Sequence, residues 1–300
     1  MTAPVYVDCS AAMRRLLTPE RLALAPGLRI HDGDPAPGAI VEVIGDAERM
    51  LNGHTMMDGA LMDRVPALKC VVFLGTGASS YIDLAAAEAR GIEVRTVQGY
   101  GDRSVAEHTI ALLFAAARRI AVQDAALRRG TWAPLEGTTL QGRTLGVIGT
   151  GGIGREVIRI AAALGMNVVA WARRPEAGDL PCTFLPLDRL LREADVVSLH
   201  LALTPQTTGF LGRAELGAMK PGAILVNTAR AALVDRDALL DALREGTLGH
   251  AALDVFDEEP LPPGSPLTGL DNVTLTPHVG FKTPEAATRL LEEALRLLSR

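Results

Sequence analysis

A chain of 300 residues exceeds what one hydrophobic core usually serves, so two domains are expected. Hydrophobic residues at 48% and charged residues at 22% sit close to the globular average and supply a sizeable core. The net charge of −5 argues against a cationic face for nucleic acid or anionic membrane, and three scattered cysteines (Cys9, Cys70, Cys182) without CxxC or metal-ligand spacing fit a reducing compartment.

The first residues, MTAPVYVDCSAAMRR, show no basic leader followed by an apolar core, and no uncharged apolar run approaches the ~18 residues of a membrane span. A soluble, cytoplasmic protein with no membrane partner is the expectation. Short apolar runs at 5–7, 40–44, 71–74 and 92–97 read as strands, with a helix at 84–90. A long alanine-rich helix follows over 105–129, stopped by Gly130. Its apolar residues, among them Ile110, Leu113, Phe114 and Ile120, exceed one face and call for burial against a neighbouring domain or subunit.

Beyond it, strands are expected at 145–148, 168–170, 196–199, 224–226, 252–256 and 273–275, with helices such as 153–164 and 237–243 between them. Strand–helix alternation and all-apolar strands imply a parallel sheet covered on both faces. The proline-rich stretch 258–266 reads as a rigid surface loop. The fold class is α/β, with two doubly wound parallel-sheet domains of Rossmann-like or flavodoxin-like type, the second a dinucleotide domain.

TLGVIGTGGIGREV places Gly149-x-Gly151-x-x-Gly154 directly after a strand and before a helix. The first glycine allows the tight turn, the second lets backbone approach a pyrophosphate, and the third lets helix pack on strand. The helix then offers free N–H groups and a partial positive charge to the phosphates. Gly149, Gly151, Gly152, Ile153 and Gly154 are therefore the cofactor-loop candidates. No GK[ST] follows, which disfavours a nucleotide-hydrolysing loop.

Ligands of open α/β sheets bind beyond the carboxyl ends of the strands. Polar residues there are Asn227, Thr228 and Arg230 in AILVNTAR, Asp254 with Asp257, Glu258 and Glu259 in ALDVFDEEP, Thr276 and His278 in NVTLTPH, and His200 in VVSLH. An arginine can hold a carboxylate with two parallel hydrogen bonds. A histidine exchanges protons near neutral pH, and a carboxylate bonded to it fixes its tautomer. With a hydride carrier, these groups suffice to interconvert a 2-hydroxy acid and a 2-oxo acid. Spacing cannot choose between His200 and His278. His31, His54, His108 and His250 lie in less suggestive contexts, and no pair has zinc-site spacing, so no metal is expected.

SVAEHT (104–109), LQGRTLGVIGTGGIG (140–154), ADVVSLHLALTPQT (194–207), MKPGAILVNTAR (219–230), ALDVFDEEP (252–260) and TPHVG (276–280) run in the order of the D-2-hydroxyacid dehydrogenase family, which this chain resembles over roughly residues 70 to 280. The resemblance implies Arg230 as substrate-binding and polarising group, Glu259 as partner of His278, and His278 as acid/base. It leaves His200 a structural role beside the cofactor. It places Thr228 and Asp254 near the nicotinamide, and the amides of Gly77 and Ala78 at the substrate carboxylate. It also implies a substrate domain of residues 1–98 plus 281–300, a dinucleotide domain of 99–280, an active site in the cleft between them, and a homodimer built on the 105–129 helix.

Three positions depart from the family. Ala231 stands where glycine is usual after the arginine, the returning C-terminal segment is short, and position 172, where NAD-using members carry an acid, is alanine. Ala172 is followed at once by Arg173 and Arg174, which favours NADP over NAD through a 2′-phosphate. Competing readings are a dinucleotide-responsive binding protein of the corepressor kind, disfavoured by the intact Arg230, Glu259 and His278 set, and a family enzyme acting on formate or phosphite.

Overall fold

A computed structural model describes residues 2–36, 38–176 and 178–300. The chain divides into two compact units: residues up to Tyr100 together with Thr283–Arg300, and Gly101–Lys282. The divisions fall two residues after 98 and 280, the limits expected from the resemblance.

The first unit has five parallel strands, β1 (Val5–Cys9), β2 (Arg29–Asp32), β3 (Arg49–Asn52), β4 (Cys70–Phe73) and β5 (Glu93–Thr96), in the order β2-β1-β3-β4-β5. Short helices α1 (Ala11–Leu16), α2 (Pro19–Leu22), α3 (Ile40–Ile44), α4 (Gly59–Asp63) and α5 (Leu84–Ala89) connect them. Side chains alternate across the sheet as the strand period requires. Val71 and Phe73 of β4 pack with Ile44, Met57 and Met62, while Cys70 and Val72 face the other way.

The run 40–44 is a helix, not the strand its β-branched residues suggest. Gly45 stops it at φ +58, and the Arg29 guanidinium donates to the Ile44 carbonyl at 2.8 Å. The strand is instead Arg49–Asn52, whose Met50 and Leu51 are fully buried. Burial of that pair decides the sheet, and local β-propensity gives way to it.

The second unit begins with α6 (Asp102–Ala117) and α7 (Ile120–Arg128), then alternates β6 (Thr144–Ile148), α8 (Gly152–Ala163), β7 (Asn167–Trp171), β8 (Thr183–Phe184), α9 (Leu187–Glu193), β9 (Val196–Leu199), α10 (Arg213–Ala218), β10 (Ala223–Asn227), α11 (Arg236–Glu245), β11 (Leu248–Leu253) and β12 (Val273–Leu275). Its seven parallel strands run β12-β11-β10-β9-β6-β7-β8. The chain reverses direction across the sheet between β6 and β9, the switch point where such sheets take their ligands.

The single helix expected over 105–129 is two. Arg119 adopts a left-handed backbone (φ +52) between α6 and α7, and the Gln123 side chain donates to the freed Arg118 carbonyl at 2.9 Å. No glycine or proline marks that break in the sequence. The strand expected at 252–256 is Leu248–Leu253, so Asp254 lies just past its end.

The returning segment is one helix, α12 (Pro284–Ser299). Its Leu290, Leu291, Leu295 and Leu298 pack on Tyr6, Leu51 and Val72 of the first sheet. An Arg21–Glu292 ion pair at 3.0 Å flanks the contact.

Candidate active site

Strand register builds the site. Ile148 pairs with Leu199, Leu199 with Asn227, Asn227 with Leu253 and Leu253 with Leu275. The next residue of each strand therefore falls in one row along the carboxyl edge: Gly149, His200, Thr228, Asp254 and Thr276. Five segments, far apart in sequence, converge there.

Gly149 turns with φ +100, and a Cβ on it would lie 2.6 Å from the His200 carbonyl oxygen. A Cβ on Gly154 would overlap the Gly149 carbonyl oxygen, so only glycine lets α8 close on β6. Nothing lies within 4 Å of a Cβ on Gly151, which caps α8 and leaves its backbone open to a ligand. Gly152 and Ile153 form the first turn of α8. A crowded turn with one open face fits a dinucleotide pyrophosphate.

Beyond β7, Arg173 and Arg174 are exposed and form no ion pair among the described residues. Arg155, which nothing in the sequence singles out, braces this region. Its Nε donates to the Thr150 carbonyl at 3.2 Å, and its Nη2 reaches the Glu176 carboxylate at 3.6 Å.

The two strand-end histidines differ in surroundings. His200 Nε2 and Ser198 Oγ share a hydrogen bond at 2.8 Å, and burial pushes the ring's pKa down to about 3. A ring held neutral beneath the glycine loop is a poor proton donor. His278 is partly exposed, and its Nδ1 donates to Glu259 Oε2 at 2.7 Å. The other Glu259 oxygen accepts the Phe256 amide at 2.9 Å, so the carboxylate is fixed before it orients the ring. Asp257 and Glu258 are exposed and have no part in this pairing.

His278 has φ +51, one of two positive-φ non-glycine residues among those described. Asp254 holds that turn. Its Oδ1 accepts from Thr276 Oγ1 at 2.5 Å and from the Val279 amide at 3.0 Å, and its Oδ2 accepts from the Gly280 amide at 2.9 Å. His108 Nε2 on α6 donates to Thr276 Oγ1 at 3.0 Å and lies 3.3 Å from Asp254 Oδ1. Burial raises the Asp254 carboxyl, but the bonds from His108, Thr276, Val279 and Gly280 outweigh it and leave the group below the usual carboxylate range. His108 thus belongs to the site's framework, a role that a sequence separation of 168 residues conceals.

Asn227 shapes the arginine turn. Its side chain accepts the Ala229 amide at 3.0 Å and donates to the Arg230 carbonyl at 2.9 Å. Arg230 Nη1 donates to the Ala229 carbonyl at 2.6 Å. Ala231 begins a 3-10 turn without positive φ, so its methyl is not strained where glycine was expected. Thr228 Oγ1 and Thr109 Oγ1 share a bond at 2.9 Å.

In the first unit, Gly77 and Ala78 open a short turn beyond β4, and neither amide donates to another described residue. A cavity of about 270 Å³ under the 261–267 loop, lined by Leu239, Leu253 and Phe256, includes neither the glycine loop nor His278. Among the described residues no His, Cys, Asp and Glu group could hold a metal ion.

These features define a dinucleotide-dependent oxidoreductase of two α/β units. The model of the D-isomer specific 2-hydroxyacid dehydrogenase NAD-binding domain matches residues 110–280. A glyoxylate reductase of Aeropyrum pernix is 42% identical over 246 residues, 78% of this chain and 73% of that protein. A D-3-phosphoglycerate dehydrogenase of Mycobacterium tuberculosis is 40% identical over 279 residues, 90% of this chain but 52% of its own length. A solved structure of a Thermus thermophilus protein superposes with TM-score 0.85 at 42% identity, covering 99% of this chain and 96% of that one. The chain belongs to the D-isomer specific 2-hydroxyacid dehydrogenase family. It is an oxidoreductase that couples a nicotinamide dinucleotide to the interconversion of 2-oxo and 2-hydroxy acids.

Proposed function

We propose that the enzyme reduces small 2-oxo acids of the glyoxylate and hydroxypyruvate kind, with NADPH as the preferred donor. The observation that carries the catalytic reading is the 2.7 Å bond between Glu259 and His278, beside the row that begins at Gly149. When bound, the nicotinamide supplies the hydride. Arg230 grips the substrate carboxylate and polarises the neighbouring carbonyl. His278 delivers a proton from Nε2 to the carbonyl oxygen, while Glu259 keeps Nδ1 protonated and the ring aimed. Thr228 and Asp254 border the nicotinamide, with Asp254 also holding the His278 turn.

The cofactor preference rests on Ala172 in place of an acid and on Arg173 and Arg174 standing exposed without ion pairs among the described residues. A guanidinium–phosphate bond contributes about 1.5–3 kcal/mol, roughly a ten- to hundred-fold preference. We further place the enzyme in the cytoplasm, since the three cysteines are free, and read it as a homodimer from the apolar surface of α7. Among the described residues no helix is long and apolar enough to cross a membrane.

The test is kcat/KM for NADPH and NADH with glyoxylate, hydroxypyruvate, pyruvate and a phosphorylated 2-oxo acid. Turnover fastest with the two small acids and with NADPH, and loss of the NADPH advantage in Arg173→Ala or Arg174→Ala, is the expected outcome. Equal efficiency with both cofactors removes the 2′-phosphate assignment.

A further inference from the structure

Beside the dinucleotide loop sits a carboxylate that no described side chain neutralises. Asp102 opens α6, and its Oδ2 stands where a Cβ on Gly152 would have to go. The oxygen therefore rests against the first residue of α8, occupying the space a side chain at 152 would need. Among the described residues Asp102 forms no side-chain hydrogen bond or ion pair, unlike the acid one turn along α8. There Glu156 is bridged by Arg103 at 3.1 Å and by Arg159 at 2.9 Å. Arg103, next to Asp102 in the chain, turns to Glu107 and Glu156 instead.

An acid in the first turn of a helix ordinarily needs no further explanation, because it complements that helix's own dipole. Contact with a second helix's amino-terminal turn gives this one another effect. That turn is where the glycine loop receives a pyrophosphate. A fixed negative charge there opposes an incoming dianion and competes for the same partial positive charge.

We propose that Asp102 is an affinity-setting residue of the dinucleotide site, its carboxylate repelling the pyrophosphate from the first turn of α8 and so limiting how tightly the cofactor is held. Gly152 makes the arrangement possible, since any larger residue would push the carboxylate aside. The inference rests on dinucleotide binding by the 149–154 loop and not on the choice between NAD and NADP. Burial, and then the neighbouring Glu156, push the Asp102 carboxyl above the usual range. The charged group that acts on it is Glu156 of α8, while Arg103, its neighbour in the chain, is turned to Glu107 and Glu156. A bound pyrophosphate raises the Asp102 carboxyl further, so binding takes up protons and tightens as pH falls.

Dissociation constants for NADH and NADPH, read from nicotinamide fluorescence at pH 8 and pH 5.5, test this in wild type, Asp102→Asn and Asp102→Ser. NADH is the cleaner probe of pH, because it carries no 2′-phosphate. Removing one partly screened like charge should tighten both cofactors roughly 3- to 10-fold at pH 8. It should also flatten the pH dependence. Thermal midpoints of the apo variants separate the alternative: a residue that only stabilises α6 lowers the midpoint and leaves binding unchanged or weaker. Wild-type or weaker binding in both variants overturns the proposal. Failure of wild type to bind either dinucleotide would instead refute the loop assignment beneath it.

Discussion

His200 and His278 both follow a strand of the same sheet, and their surroundings separate them. His200 is desolvated beneath a glycine turn, with Ser198 on its Nε2 and a pKa of about 3. His278 carries a carboxylate on one nitrogen, and the other has no hydrogen-bond partner among the described residues. Glu259→Gln should keep an acceptor beside His278 Nδ1 yet remove the carboxylate charge facing it. Reduction of a 2-oxo acid should then fall in kcat more than it rises in KM, which steady-state rates on both substrates would show. Arg230 donates from one nitrogen to the Ala229 carbonyl, and its other donors meet no acceptor among the described residues. Arg230→Ala should lower kcat/KM by roughly 10²-fold or more, the scale of losing one electrostatic donor. Near-normal turnover of the variant would remove Arg230 from the mechanism. These residues are legible because each sits at a strand end inside a dense motif. Arg155, Asp102 and His108 are not, since each acts through a contact with another element.

Helix α6 ties several of these contacts together. Near its middle His108 meets Thr276 and Asp254, which hold the left-handed turn at His278. His108→Ala should lower kcat roughly 10-fold by freeing that turn, while His108→Gln, which retains a donor, should recover part of the loss. Equal kcat in wild type and His108→Ala would show that the turn stands without it. Just past the carboxyl end of α6, Arg119 acts electrostatically on His250 of β11. Its Nε2 shares a bond with Thr274 Oγ1 at 2.9 Å, and its buried Nδ1 has no hydrogen-bond partner among the described residues. Burial, and then the charge of Arg119, lower its pKa to about 4. Unfolded histidine titrates near ~6.5, so between those values the unfolded chain binds a proton that the folded one refuses. Stability is therefore full above about pH 6.5 and is lost as pH falls towards 4, by roughly 2–3 kcal/mol for His250 at pH 4.5. Denaturant titrations at pH 7 and 4.5 should show that loss shrink in His250→Gln. An unchanged difference would place the acid sensitivity elsewhere, with His200 the next residue to replace.

At the level of the whole chain, the sequence disclosed the second unit better than the first. Apolar strands that are buried on both faces, and the motifs at their ends, announce β6 to β12 almost element by element. In the first unit β2 carries Arg29, His31 and Asp32 and is largely unburied, so no apolar run marks it. The helix at 40–44 reads as a strand for a related reason: tertiary burial, not local propensity, assigns those residues. The apolar excess of the 105–129 region has a different explanation. No residue of α7 is buried, and Ile120 and Leu127 are 52% and 55% exposed. The segment 131–138 runs back along α7, held by Thr131 N to the Ala126 carbonyl at 2.9 Å, Leu135 N to Gln123 Oε1 at 3.0 Å and Thr138 N to the Ala117 carbonyl at 2.8 Å. It presents Trp132, 85% exposed, with Leu135 at 41%. Exposed apolar residues gathered on one helix and the segment bonded to it are characteristic of an interface, and a second copy of the chain is the partner proposed for them. Light scattering at micromolar concentration should report a dimer for wild type and a monomer for Leu127→Asp with Trp132→Ser. Trp132 also supplies an optical readout, because the chain has only one other tryptophan, the partly buried Trp171. Emission should shift to longer wavelength as wild type is diluted and Trp132 returns to water. A wild-type chain that stays monomeric, with emission independent of concentration, would rule out the dimer.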